Sequence, residues 1–273
     1  MPIVSRKMPS FSGVAAGQSA TCRLPIGLTY HQLLLTYSGV TLAQLNEIRV
    51  IANGQMIQRY VEASKLDSIN QFSGRAAANG VLVIDQDRHA QLTRAGVELT
   101  ALGTGLPRGP NVDAGQDPNP ITTLSLEVDI DAGAAAPVLS LTALQSLARP
   151  AGIIKKVREY TYNAAATGEF EISDLPKGDI INRVVFASAD VDAVKVERNN
   201  LVVFNRTSAE NNVVQADGHR VPQAGYFVFD PTEQGYGAEG LVTAGAHDLR
   251  FVLTMGDTGA VPVTVEYLGQ LEI

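Results

Sequence analysis

The chain has 273 residues and a single cysteine, Cys22, so an internal disulfide cannot form. Acidic residues outnumber basic ones by 28 to 21, and this balance argues against direct nucleic acid binding. No apolar run reaches the roughly 18 residues that a transmembrane helix needs, and the N-terminus lacks the apolar stretch of a signal peptide. With 25 glycines and 13 prolines spread along the chain, the composition is typical of many short strands joined by turns.

The predicted elements of the first half are mainly short alternating strands. Between them, Thr41-Leu42-Ala43-Gln44 fits the capping box of a short helical turn. A longer helix is predicted from about Val61 to Phe72, because Leu66, Ile69 and Phe72 recur on one face. The segment from Gly103 to Pro120 holds four glycines and four prolines, so we expect a long loop at an exposed rim.

A further helix is predicted from Leu139 to Ala148. Leu141, Leu144 and Leu147 stand at helical spacing, and Pro150 would stop the helix shortly afterwards. The segment lies between the strands of the two halves of the chain. We therefore expect this helix to bridge them.

A set of landmarks occurs twice in the same order along the chain. Each is a glycine, an apolar run or a turn typical of strand ends, and the offset between the copies falls from 151 to 139 residues, as differing loop lengths would produce. The main pairs are Gly17 with Gly168, Leu24-Pro25-Ile26-Gly27 with Leu175-Pro176-Lys177-Gly178, Asn53-Gly54 with Asn199-Asn200, Gly80 to Asp85 with Gly225 to Asp230, and Leu124 to Val128 with Val263 to Tyr267.

The duplication and the strand patterns together predict the fold class and the domain organisation. We expect an all-β chain of two tandem jelly-roll β-barrels, a double jelly roll, with a few short helices. The first jelly roll is assigned to residues 1–138, a connecting helix or linker to 139–151, and the second jelly roll to 152–273.

The sequence lacks the residue patterns of the catalytic sites that this fold class would suggest. Two tandem jelly rolls could form a metal-dependent cupin enzyme, which needs a His-x-His pair, but the four histidines are isolated from one another. They are His31, His89, His219 and His247. We therefore predict no catalytic or cofactor-binding residues and no enzymatic activity. Cys22 is expected to be a buried core residue.

Structural calcium is the one ligand for which the sequence offers candidates. Asp129 and Asp131 lie on one face of a strand end, and Asp113 and Asp117 lie in the long loop. Calcium takes six or more oxygen ligands, and no further acidic residues cluster there. Two solvated aspartates that mark a strand exit are the alternative.

Several longer segments resemble the major capsid proteins of the corticoviruses, tailless marine bacteriophages with an internal lipid membrane. The resemblance runs almost end to end, except in Gly103 to Pro120 and Ser208 to His247. The segments that carry it include Val14-Ala15-Ala16-Gly17, Tyr37-Ser38-Gly39-Val40-Thr41, Asp129-Ile130-Asp131, Val191-Asp192-Ala193-Val194 and Val265-Glu266-Tyr267-Leu268-Gly269.

The resemblance implies a structural role in a virion. Three chains would close into a trimer of hexagonal outline, and such trimers would tile an icosahedral shell around a membrane vesicle that encloses DNA. Two similar barrels in each of three chains give six similar corners, which suits a hexagonal lattice. The implied partners are further copies of the chain, vertex proteins and membrane-associated virion proteins. The chain would be made in the host bacterial cytoplasm, and calcium is associated with virions of this kind.

Peripheral contact with the membrane is expected at the base of the barrels, where the termini and Lys155 to Arg158 are candidates. The alternative function is a carbohydrate- or receptor-binding β-sandwich, such as a phage spike. Sugar-binding faces usually present aromatic side chains, but the chain has no tryptophan and 6% aromatic residues. The capsid interpretation is therefore preferred.

Overall fold

The computed structural model describes residues 3–105, 121–235 and 240–271. The strands of the first half are β1 (Val4–Lys7), β2 (Ser19–Arg23), β3 (Thr29–Ser38), β4 (Leu45–Ala52), β5 (Gln55–Tyr60), β6 (Val81–Asp85), β7 (Leu102–Gly103), β8 (Leu124–Ile130) and β9 (Val138–Ser146). Those of the second half are β10 (Ile154–Ala164), β11 (Gly168–Ile172), β12 (Ile180–Phe186), β13 (Val191–Arg198), β14 (Leu201–Thr207), β15 (Phe227–Phe229), β16 (Leu241–Val242), β17 (Leu249–Met255) and β18 (Gly259–Gly269).

Helical structure is limited to short segments in the described ranges. They are a 3₁₀ turn at Leu42–Gln44, α1 (Ala63–Phe72), α2 (Arg94–Glu98) and α3 (Ser208–Gln215). The predicted capping turn is confirmed, because the Gln44 side chain accepts a hydrogen bond from the backbone N–H of Thr41 (3.0 Å). None of these helices is long and apolar enough to span a membrane.

Each half folds into two sheets that enclose a core. In the first barrel, β1-β9-β3-β6, with β7 also beside β3, packs on β2-β8-β4-β5. In the second, β10-β18-β12-β15, with β16 beside β12, packs on β11-β17-β13-β14. The strand order is the same in both halves, so the predicted double jelly roll is confirmed.

Period-two burial explains why these segments form strands. Along β8, every second side chain from Leu124 to Ile130 is buried and those between them are partly exposed. Each buried Leu, Ile or Val contributes about 1.5–3 kcal/mol by leaving water. The two apolar cores are therefore the main source of stability of the barrels.

The duplication extends to backbone details. Asn53 and Asn199 begin the hairpin turns of β4–β5 and β13–β14 with φ of 50° and 52°. In each copy the asparagine side-chain oxygen accepts two backbone N–H groups from the segment that leads into β8 or β17. The repeated asparagine thus fixes both the turn and its neighbouring loop.

The helix predicted from Leu139 to Ala148 is wrong, because this segment is strand β9. Leu139, Leu141 and Ala143 are buried at every second residue, and β9 pairs with both β1 and β3. The leucine spacing that indicated a helix includes Leu147, which is exposed. Burial with period two therefore decides the structure, the first barrel continues to Ser146, and the connecting segment shortens to residues 147–153.

Candidate assembly surface at the junction of the barrels

The two barrels meet where edge strand β5 lies beside β10. Val157 pairs with Gln58 in a parallel ladder, which joins the two sheets into one. Side chains reinforce this edge, because Gln58 Nε2 donates to the Lys155 carbonyl (3.4 Å) and Arg158 Nη1 donates to the Ile57 carbonyl (3.2 Å). Val157 is fully buried in the core of the first barrel. The second barrel thus completes the hydrophobic core of the first.

Helix α1 of the first barrel covers the outer face of a sheet of the second. Ile69 and Phe72 pack against Val185 of β12 and Val228 of β15. The guanidinium carbon of Arg183 lies 5.1 Å from the centre of the Phe72 ring, a cation–π distance. Apolar side chains that point out of the second barrel are therefore buried by the first.

A buried ion pair occurs twice near this junction. Arg75 binds Asp85 through two hydrogen bonds (2.7 and 3.0 Å), and Arg220 Nε donates to Asp230 (2.8 Å). In each copy the arginine precedes its aspartate by ten residues, and the two pairs are 145 residues apart. The sequence patterns above include both aspartates but miss the arginines. The repeated spacing is the signal that could have identified them.

Arg183 connects the second ion pair to the interface. Its Nη1 donates to Ser73 Oγ of the first barrel (3.0 Å), and its guanidinium lies 3.9 Å from Glu266 and 4.0 Å from Asp230. Burial opposes ionisation of Glu266, but Arg183 and Lys155 outweigh it, so the pKa of Glu266 lies below its ordinary value. The carboxylate is therefore charged at neutral pH and helps to hold the barrels together.

Two of the proposed membrane contacts are buried, Lys155 at this junction and Lys156 within the second barrel. The side chains of Lys155 and Lys156 are almost completely inaccessible. Lys156 Nζ lies 2.9 Å from a carboxylate oxygen of Asp179. Assigning these two lysines to a membrane surface from their charge alone is therefore wrong.

The calcium candidates Asp129 and Asp131 are engaged separately by protein groups. Arg49 donates two hydrogen bonds to Asp129 (2.8 and 2.9 Å), and Ser19 also bonds to it. Asp131 accepts the backbone N–H of Gly133 (2.7 Å). These contacts favour two structural aspartates at a strand exit, and calcium binding here stays a prediction. Candidates Asp113 and Asp117 lie outside the described residues.

The isolated histidines do not form a metal centre in the part of the chain that the structure describes. His31 is buried, with Nδ1 2.9 Å from Asp87 and Nε2 2.7 Å from Ser146 Oγ. His31 therefore satisfies hydrogen bonds in the core. Burial also raises the pKa of its partner Asp87, and it lowers the pKa of His89.

Each surface at the junction has an equivalent surface on the other barrel. Helices α1 and α3 show which residues of the two barrels correspond. Asn70 of α1 donates to the Val83 carbonyl (2.8 Å), and Gln215 of α3 donates to the Val228 carbonyl (2.9 Å). The two donors are 145 residues apart in the sequence, and so are the two acceptors. Helix α3 therefore occupies on the second barrel the place that α1 occupies on the first.

The counterpart of the docked helix face is exposed. At the same offset, Val214 of α3 corresponds to Ile69 of α1. Ile69 is 6% exposed because it lies against the other barrel, whereas Val214 is 49% exposed and its neighbour Val213 is 78% exposed. The uncovered α3 face therefore exposes Val213 and Val214 in the described chain, while the counterpart of Phe72 is Asp217.

The counterpart of the covered sheet face is open as well. Leu34 of β3 and Val83 of β6 take the places of Val185 and Val228. The latter two are buried under α1, whereas Leu34 and Val83 remain partly exposed. Each chain therefore carries one joined pair of surfaces and one separated pair.

Comparisons with known proteins identify the family. Residues 5–146 match the viral coat protein P2 N-terminal domain, and residues 154–271 match the viral coat protein P2 C-terminal domain. The chain belongs to the viral coat protein P2 family. The major capsid protein P2 of Pseudoalteromonas phage PM2 is 31% identical over 197 residues, which cover 69% of this chain and 67% of that relative.

Solved structures agree with membership of the viral coat protein P2 family. The crystal structure of the PM2 major capsid protein matches with a TM-score of 0.88 at 25% identity, over 99% of this chain and 98% of that one. A chain from Sulfolobus Turreted Icosahedral Virus shares the fold, with a TM-score of 0.70 at 10% identity over 99% and 91% of the two chains. The resemblance to bacteriophage capsid proteins is confirmed, and the role is that of a structural major capsid protein.

Proposed function

We propose that the chain forms pseudo-hexameric trimers, which tile an icosahedral shell around an internal membrane. The observation that carries this proposal is the separated pair of surfaces, the apolar face of α3 and the outer face of β3 and β6. Within the chain, the equivalent surfaces bind each other. Between chains, α3 of one copy would bind β3 and β6 of the next, and head-to-tail contacts of this kind form a closed ring when the rotation between copies closes.

A trimer makes the contacts equivalent around the ring. Three junctions would lie within chains and three between them, so that six similar barrels surround one axis. The apolar character of Val213 and Val214 fits a surface that is buried on association, because exposed apolar patches mark interaction sites. The duplication would thus allow one gene product to tile a hexagonal lattice.

The end of the barrels where the chain crosses from one to the other is assigned to the membrane side. Thr29 pairs with Ser146 at this end, and Ile26, Leu147 and Ile153 expose large aliphatic side chains near it. We expect Leu147→Asp with Ile153→Asp to reduce co-flotation of trimers with anionic lipid vesicles. Unchanged flotation would overturn this assignment. Vertex and membrane-associated virion proteins are further partners in this proposal, and synthesis occurs in the host bacterial cytoplasm.

The trimer is tested by the solution mass of the purified chain. Light scattering should give about 87 kDa, three times the 29.0 kDa of one chain, and negative-stain images should show a hexagonal outline. Val214→Asp should shift the mass towards the monomer, because it places a charge in the proposed contact. Thr254→Asp, on an exposed site of β17, is the matched control. A monomer at every concentration would overturn the proposal.

A further inference from the structure

A groove of about 400 Å³ lies beside edge strand β14 of the second barrel. Val203, Phe204, Phe229 and Leu241 are among the residues that line it. β14 is the last strand of its sheet, so the backbone groups on its outer edge have no neighbouring strand in the described structure. Val203 is 43% exposed and Phe204 is partly exposed. Such an apolar edge is suited to accept another strand.

The equivalent place on the first barrel is filled. In the hairpins, Gln58 lies opposite Val50 and Phe204 lies opposite Val196, so Phe204 is the counterpart of Gln58. Gln58 is fully buried because Val157 of β10 pairs with it. A strand that lay along β14 as β10 lies along β5 would close the groove.

The counterpart of β10 is β1, the short strand at the start of the chain. β1 pairs with β9, the last strand of the first barrel, and β10 pairs with β18, the last strand of the second. The strand registers align Ser5 with Val157 and Arg6 with Arg158. All four residues of β1 are exposed, and its outer edge is unpaired in the described residues. The chain thus holds an exposed strand of the kind that fills the equivalent place.

The residue types at the two places are compatible. Phe204 is larger than its counterpart Gln58, and Ser5 is smaller than its counterpart Val157, so the changes in volume oppose each other. Arg6 repeats Arg158, whose guanidinium donates to the carbonyl of Ile57 on β5. On β14 the corresponding carbonyl is that of Val203.

We propose that β1 of a second copy of the chain occupies this groove. It pairs in parallel with β14, with Ser5 opposite Phe204 and Val4 opposite Val203, and Arg6 donates to the Val203 carbonyl. The inference rests on the proposed trimer and names the segment that joins its subunits along the sheet edge. β-strand addition of this kind gives backbone hydrogen bonds between the chains.

Disulfide trapping tests the register of the two strands. Val4→Cys and Val203→Cys on one chain replace two exposed side chains, and adjacent strands bring Cα atoms within the roughly 4.4–6.8 Å that a disulfide needs. The native Cys22 does not compete, because it is fully buried and burial raises the pKa of its thiol to about 11. After mild oxidation, most chains should migrate as covalent dimers and trimers on a non-reducing gel.

The matched control is Val4→Cys with Asn205→Cys, which shifts one cysteine two residues along β14, roughly 7 Å. This pair should give less than a tenth of the cross-linked product. A Val4→Cys, Val203→Cys variant that has the mass of a trimer but does not cross-link would overturn the β1 inference and leave the trimer intact. An unsubstituted chain that stays monomeric would overturn the trimer itself, and this inference with it.

Discussion

The outer face of β12 and β15 is buried under α1, whereas the matching face of β3 and β6 is partly exposed. The edges differ in the same way, since β5 has a neighbour from the other barrel and β14 has none in the described structure. The two barrels share their strand order and their turns, so the difference does not arise from the fold of either barrel. It arises because one chain contains a single junction between two copies.

The joined and separated surfaces also differ in chemistry. Arg183 and Glu266 are charged and buried in the joined surface, and the strand registers place Gln32 and Leu144 at the corresponding sites of the separated surface. Buried charges are costly unless they are paired within a fixed structure. The centres of interfaces between chains are depleted of charged residues. The charged Arg183–Glu266 pair thus suits a permanent junction, and the uncharged side chains at the sites of Gln32 and Leu144 suit a contact that forms on assembly.

The largest expected effect concerns the two copies of the buried ion pair. Asp230→Ala should lower the free energy of unfolding by about 3–5 kcal/mol, because it leaves Arg220 and Arg183 buried without this carboxylate. Asp85→Ala should lower it by about 1–3 kcal/mol, because the Arg75 side chain is 17% exposed whereas that of Arg220 is 1% exposed.

Calorimetry of the two variants checks this order. In a chain of this size, 1 kcal/mol corresponds to a shift of roughly 2–4 °C in the midpoint of thermal unfolding. The solution mass should be measured first, so that variants are compared in the same assembly state. Equal midpoints for the two variants would contradict the claim that the second pair is the more important of the two.

Much of the fold could be predicted from the sequence because it depends on local patterns. Alternating apolar residues and repeated turns, such as Asn53-Gly54 and Asn199-Asn200, indicated two similar barrels. Helix α3 was missed, although Thr207 and Glu210 form a capping box that the sequence shows. Strand β9 was predicted as a helix because Leu141, Leu144 and Leu147 are three residues apart, but Leu144 lies on the less buried face of the strand and Leu147 lies beyond its end.

The assembly surface could not be predicted in the same way, because it depends on contacts between distant segments. Nothing local in Val185 and Leu34 shows that one is covered by a helix and the other is not. Lys155 and Lys156 appeared to be a basic surface group, but β10 buries Lys155 at the junction and Lys156 beside Asp179 of the second barrel. The duplication was visible in the sequence. Only the structure shows that one pair of equivalent surfaces is joined within the chain and the other is not.

A smaller change in the free energy of unfolding is expected when Ile69 and its counterpart Val214 are replaced. Ile69→Ala removes buried apolar contacts between the barrels and should lower the free energy of unfolding of the chain by about 2–5 kcal/mol. Val214→Ala should change that of the unassembled chain by no more than about 0.5 kcal/mol, because its side chain is half exposed. In the trimer, Val214→Ala should instead raise the concentration at which light scattering detects dissociation. If Val214→Ala destabilised the monomer as much as Ile69→Ala does, α3 would have a role within its own barrel, and the equivalence of the two helix faces would fail.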